Sequence, residues 1–136
     1  MRPLPRRLRD GERGAVAVEF ALVLPVLVLL LFGIIEFGLM YNRQQALHAA
    51  AREGGRVASL ESSTQTDITT AVDGALVGTK FSSTRAITIS PNVTKPCLNR
   101  AGQTVTVTVV ANSNVDIPLW NNLAVGLTGK GQFRCE

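Results

Sequence analysis

Charged side chains are scarce in this chain of 136 residues: they make up 18% of it, against 46% hydrophobic residues. The run from Phe20 to Ile35 contains no charged or strongly polar side chain. The sequence also has no P-loop, no nucleophile elbow and no metal-ligand spacing, and its one histidine, His48, has no second ligand or acidic partner in register. We therefore expect no catalytic residues, no metal site and no cofactor, and the length excludes a large multidomain enzyme.

The basic residues are concentrated at the N-terminus. The formal net charge is +4, and the residues before Ala15 contribute +3 of it. These residues are five arginines opposed by two acids: Arg2, Arg6, Arg7, Arg9 and Arg13 against Asp10 and Glu12. Because the remainder of the chain is almost neutral, it offers no basic face, and nucleic acid is not an expected partner.

An apolar tract of about 26 residues, from Ala15 to Met40, follows the arginines. As a helix it is about 39 Å long, enough to cross a hydrocarbon core of about 30 Å. A secretory signal peptide is the alternative, but the tract is long for one, and polar residues separate it from the small residues at 49–51. The positive-inside rule keeps the N-terminus cytoplasmic and sends the residues after Met40 across the membrane.

The start of this tract carries a motif. Gly14 is followed by four apolar residues, then by Glu19 and Phe20. This pattern, together with the strings at 33–38 and 49–56, resembles the TadE-like pseudopilins, a type IVb pilin-like family of Tad and Flp systems. The resemblance covers residues 14 to about 59 and is diffuse beyond them.

The resemblance implies cleavage between Gly14 and Ala15 by a prepilin peptidase at the cytoplasmic face. It also implies an assembly role for Glu19 and Phe20, in which the Glu19 carboxylate pairs with the N-terminal amine of a neighbouring subunit. Such a pair is tolerable in lipid because each charge alone is costly there. The alternative is that Glu19 is an interfacial carboxylate solvated by water or headgroups.

Beyond Met40 the helical pattern continues to about residue 60, with a stripe of small residues, although Gly54 and Gly55 could end the helix early. A Ser/Thr-rich linker then leads to a short helix with Asp67 as its expected N-cap and Gly78 as its stop. Strands are predicted at 85–90 and 103–111, and a third β-compatible segment lies at 127–135. We expect an α+β domain with an antiparallel sheet of three or four strands.

The two cysteines, Cys97 and Cys135, both fall in the part predicted to lie outside the cytoplasm, where disulfides persist. A disulfide between them is therefore expected. Two unpaired thiols are the alternative.

These observations divide the chain into a leader at 1–14 that is removed, a transmembrane helix at 15–40, a helix continuation at 41–60 and an extracytoplasmic α+β domain at 61–136. The resemblance implies a minor pilin-like subunit of a Tad/Flp-type pilus or secretion apparatus, acting in pilus assembly or surface adhesion. Its expected partners are the prepilin peptidase, other pilin-like subunits, the Tad assembly platform and membrane lipid. It is expected in a bacterial cytoplasmic membrane as a single-pass protein, or on the pilus or cell surface. The alternative is an uncleaved, membrane-anchored binding or scaffolding protein.

Overall fold

The computed structural model describes residues 9–81, 83–117 and 120–136, with side chains over 14–81, 83–115 and 123–136. In this part of the chain the order of elements is two helices followed by three strands: α1 (Arg9–Ala58), α2 (Gln65–Ala75), β1 (Ala86–Ser90), β2 (Thr104–Ile117) and β3 (Trp120–Arg134). The predicted α+β fold is confirmed. The predicted leader is described only from residue 9, and its first eight residues lie outside the described part.

Helix α1 is a single helix of 50 residues that passes through Pro25 without ending. It begins at Arg9, so the last residues of the predicted leader are already helical. Its second half supplies buried core residues, including Leu47, Ala50 and Ala51.

Gly54 and Gly55 do not end α1. Helix α2 and strand β3 pack directly against these two glycines, in the space that larger side chains would occupy. A Cβ atom on Gly54 would lie 2.5 Å from Val72 Cγ2 of α2, and one on Gly55 would lie 2.6 Å from Phe133 Cδ2 of β3. The helical conformation at these positions is maintained by tertiary packing rather than by intrinsic propensity.

Helix α2 begins one turn earlier than its apolar pattern predicts. The N-cap is Thr64, and the prediction that Asp67 caps the helix is wrong. Asp67 instead occupies the third helical position, where its carboxylate accepts hydrogen bonds from the Thr64 backbone N–H (2.9 Å) and hydroxyl (2.7 Å). This reciprocal capping box starts the helix, which then buries Ile68 and Val72.

The three strands form one antiparallel sheet in the order β1-β2-β3. The predicted alternation in β2 is confirmed, since Val105, Val107 and Val109 are fully buried while the threonines between them are not. Both long strands extend further than predicted: β2 continues past Ala111 to Ile117, and β3 begins at Trp120.

Helix α1 packs closely against β3 at two glycines. A Cβ atom on Gly129 would collide with the Leu47 carbonyl, and one on Gly131 would collide with the Ala51 carbonyl. Helix and strand therefore approach backbone to backbone, which only glycine permits at these positions. The two contacts also show that α1 and β3 run in the same direction.

Candidate functional site

The N-terminal half of α1 projects from the folded domain, and no other element in the described part of the chain covers it. Gly14 to Ala58 is long and apolar enough to cross a membrane, and its most apolar 18-residue window has a mean hydropathy of 2.8 with no residue buried. Large apolar side chains such as Phe20, Leu22 and Phe37 are exposed on all sides of this segment. A helix that is apolar all round requires an apolar environment, such as lipid or other helices.

Gly14 lies on α1 with open space around it. No atom of a neighbouring element lies within 4 Å of the position that a Cβ would occupy. Glycine costs about 1 kcal/mol relative to alanine inside a helix, so this turn is comparatively easy to open.

Glu19 lies on the same helix, four residues beyond Ala15 and next to Phe20. This spacing is about one helical turn, or about 6 Å, so the Glu19 side chain and the backbone nitrogen of Ala15 lie on the same face. Neither ion pair found among the described residues includes Glu19. The carboxylate is exposed on an otherwise apolar surface, where a cation from outside the described fold would have free access to it.

The predicted processing and assembly residues are thus brought together: Gly14, Ala15, Glu19 and Phe20 occupy less than two turns of one exposed helix. The predicted cysteine pair lies far from them, at the opposite end of the domain.

Cys97 and Cys135 lie at disulfide distance, with their Cα atoms 5.3 Å apart and their sulfur atoms bonded. Backbone hydrogen bonds surround the bridge. The Cys135 N–H donates to the Gln103 carbonyl (2.8 Å), and the Glu136 N–H donates to the Ser59 carbonyl just after α1 (3.1 Å). The bridge and these bonds fasten the C-terminus to the end of the long helix.

One structural feature near the helix has no counterpart in the sequence-based prediction. Residues 111–117 of β2 and 120–127 of β3 continue as a two-stranded ribbon beyond the end of β1, and we call this ribbon the hairpin arm. Polar residues such as Asn112, Asn114 and Asn122 interrupt the valine-threonine alternation, which is why the pattern did not predict strands here. The alternation of Ser113, Val115 and Ile117 was the only available signal.

Two residues of α1 hold the hairpin arm against the helix. Arg43 Nη1 donates to Ser113 Oγ (2.5 Å) and, less closely, to the Asn114 carbonyl (3.4 Å). Gln44 Nε2 donates to the carbonyl of Thr128 (2.7 Å), the β3 residue that adjoins the arm.

His48 faces the same strand. Its Nδ1 atom accepts a hydrogen bond from the Lys130 N–H at 3.5 Å, on the edge of β3 that has no strand partner. The imidazole therefore satisfies a backbone N–H group at this edge of the sheet.

The family model described as TadE-like protein matches residues 14–56. No curated protein and no solved structure matches the chain significantly. The matched residues are those of the exposed apolar helix and of its first turns on the sheet, and they begin at Gly14.

Proposed function

We propose that this chain, whose residues 14–56 match the TadE-like family model, is a minor pilin-like subunit of a Tad/Flp-type pilus or secretion apparatus that is cleaved after Gly14 and then assembled through α1. The subunit is stored in the cytoplasmic membrane with its N-terminus inside and its domain outside. It acts in pilus assembly or surface adhesion, without catalysis and without a cofactor. Its partners are a prepilin peptidase, other pilin-like subunits and the Tad assembly platform.

The observation that carries this proposal is the continuity of α1. One helix extends from the uncovered apolar segment into the core of the domain, where Leu47, Ala50 and Ala51 are fully buried. The apolar segment and the domain therefore move as one body when the subunit leaves the bilayer. This coupling is what an assembling subunit needs, because stacking of the apolar helices then determines the position of each domain.

The proposal predicts a specific cleavage. In a host that supplies the cognate peptidase, the membrane-extracted protein should begin at Ala15 and should lack the mass of residues 1–14. A Gly14→Leu variant should remain uncut because a branched side chain at the scissile position obstructs the cleft. Intact-mass measurement detects both results.

Gly33 provides the matched control, since it lies on the same apolar helix and has the same open surroundings. Gly33→Leu should be cleaved as the wild type is. A mature wild-type protein that still begins at Met1 would contradict the proposal and favour the uncleaved anchor.

A second prediction concerns Glu19. A carboxylate in the bilayer costs up to about 3 kcal/mol, so Glu19→Ala should insert at least as well as the wild type. Its crosslinking to other pilin-like helices should nevertheless fall sharply, because the charge that pairs with a neighbour's amine is gone. Cysteine crosslinking within the apolar tract measures this loss.

Glu36 lies on the same helix and serves as the control carboxylate, so Glu36→Ala should crosslink normally. If Glu19→Ala is cleaved and crosslinks like the wild type, Glu19 is an interfacial carboxylate and has no pairing role. If only cleavage fails, Glu19 acts in recognition by the peptidase.

A further inference from the structure

An open groove lies at the end of α1 that is furthest from its apolar tract, and we call it the tip groove. Its volume is about 560 Å³. It is lined by residues of two segments: Leu60, Glu61, Ser62, Lys95 and Leu98. Helix α1 rises by about 27 Å between Met40 and its end at Ala58. The tip groove therefore lies well beyond the part of the helix that can cross a membrane.

The loop that forms one wall of the tip groove is held in place. Cys97 in this loop is disulfide-bonded. Gln65, at the start of α2, donates from its backbone N–H to the Thr94 carbonyl (3.1 Å) and from Nε2 to the Val93 carbonyl (3.0 Å). Side chains on this loop are therefore presented on a fixed backbone, and binding there requires little further ordering.

The tip groove combines exposed leucines with one charge of each sign. Leu60 is 41% exposed and Leu98 is 45% exposed, and Glu61 and Lys95 are exposed as well. Both ion pairs found among the described residues lie elsewhere, so these two charges do not neutralise each other. Glu61 Oε1 accepts a long hydrogen bond from the Asn99 N–H at 3.4 Å. Such a surface favours a partner that is apolar at its centre and carries both a cation and an anion at its rim.

A second copy of this chain is such a partner. A two-fold axis through the tip groove places Glu61 of each copy opposite Lys95 of the other, with the leucines between them. Isologous contacts have this reciprocal form, in which one surface patch is complementary to itself. A partner with charges of one sign would instead attract one of the two side chains and repel the other.

We propose that the tip groove is a homophilic docking site, at which a second copy of this chain binds end to end through reciprocal Glu61–Lys95 contacts. This inference rests on the proposed function in one respect. Because α1 anchors each copy by its opposite end, end-to-end binding joins copies whose apolar tracts lie in two different membranes or fibres. So small an interface binds weakly by itself, and many copies on facing surfaces make the attachment firm through multivalency.

Clustering of vesicles measures this contact. The full chain is reconstituted into phosphatidylcholine vesicles that carry either a donor or an acceptor dye, and energy transfer between the two populations is followed. Wild-type vesicles should cluster with one another and not with protein-free vesicles. Glu61→Lys and Lys95→Glu vesicles should each cluster at least about tenfold more slowly, because like charges then face each other in both contacts. Mixing the two variants should restore clustering, since opposite charges face each other again.

Two further variants complete the design. The double variant Glu61→Lys, Lys95→Glu exchanges the charges within one protein and should cluster by itself. Lys130→Glu is the matched control, since Lys130 is exposed but its N–H bonds His48, about ten residues or about 15 Å before the end of α1. This control should cluster as the wild type does.

The possible outcomes separate the two proposals. Wild-type protein that floats with its vesicles but does not cluster them would overturn the homophilic contact while leaving the membrane span intact. Clustering that both single variants retain, or that neither the mixture nor the double variant restores, would also overturn it. Clustering with protein-free vesicles would assign the tip groove to lipid, which overturns the contact as well. Failure to float would contradict the span, and with it both proposals.

Discussion

Replacing Gly131 by alanine tests the backbone contact that joins the long helix to the sheet. The added Cβ would lie 2.6 Å from the Ala51 carbonyl carbon and 2.9 Å from the Arg52 nitrogen, both under the 3.0 Å that Cβ atoms respect. These are backbone atoms of α1, about two turns before its end, so no side chain can rotate away. The helix itself must move from β3, and the packing of Leu47 and Ala50 is lost with it.

The expected cost follows from these contacts. Overpacking a core costs about 1 to 3 kcal/mol, and the upper end applies here because the obstruction is backbone. Alanine in a strand recovers about 0.5 to 1 kcal/mol relative to glycine. We therefore expect Gly131→Ala to lower the free energy of unfolding of the domain by about 2 kcal/mol.

Gly126 is the matched control, since it lies on the same strand but a Cβ there would meet only Asn112 Oδ1 at 3.7 Å. Gly126→Ala meets no obstruction and should therefore leave the domain at least as stable as the wild type, with a gain of up to about 0.5 to 1 kcal/mol. Urea unfolding of the full chain in a non-ionic detergent, followed by far-UV circular dichroism, measures both variants. At an m-value of about 1 to 2 kcal/mol/M, the Gly131→Ala midpoint should fall by at least about 1 M. Equal midpoints for the two variants would refute the backbone contact between α1 and β3.

Two other predictions concern the far end of the domain and the start of α2. The sequence separation of 38 between Cys97 and Cys135 corresponds to about 4 kcal/mol of disulfide stabilisation in the chain-entropy model, so reduction or double replacement by alanine should lower the urea midpoint markedly. An unchanged midpoint would exclude a structural bridge. Hydrogen bonds from Thr64 hold the pKa of Asp67 below its ordinary value of 3.8. The stabilisation that this provides is present above the ordinary value and is lost as the pH falls through the lowered pKa. Asp67→Asn should remove this acid-dependent step from the stability profile, and identical profiles for the two proteins would contradict the capping box.

Local sequence patterns were sufficient to predict the features that depend on a single helix or strand. The apolar tract and the motif from Gly14 to Phe20 predicted a long exposed helix. The alternation of Val105, Val107 and Val109 predicted which side of a strand is buried. Such patterns are reliable because the period of a helix or strand places residues on a face before any partner is known.

Tertiary structure decided the features that depend on two segments meeting. Gly54 and Gly55 resembled a helix stop, but α1 continues through them because Val72 and Phe133 fill the space beside them. The N-cap is Thr64 and not the predicted Asp67. Both residue types suit the N-cap position, and the packing of α2 on α1 selects the register. These outcomes depend on shape complementarity, which a linear pattern does not encode.

The hairpin arm is the clearest example of a feature that tertiary contacts decided and local patterns did not predict. Its asparagines give a weak strand signal by themselves. The neighbouring strand stabilises it, and so does the Arg43 side chain, which is separated from Ser113 by 70 positions in the sequence. The sequence by itself determined that this protein has a membrane-competent helix and an α+β domain. Only the tertiary structure decided that a ribbon of the domain runs back along that helix, because its direction is set by the glycine contacts between α1 and β3.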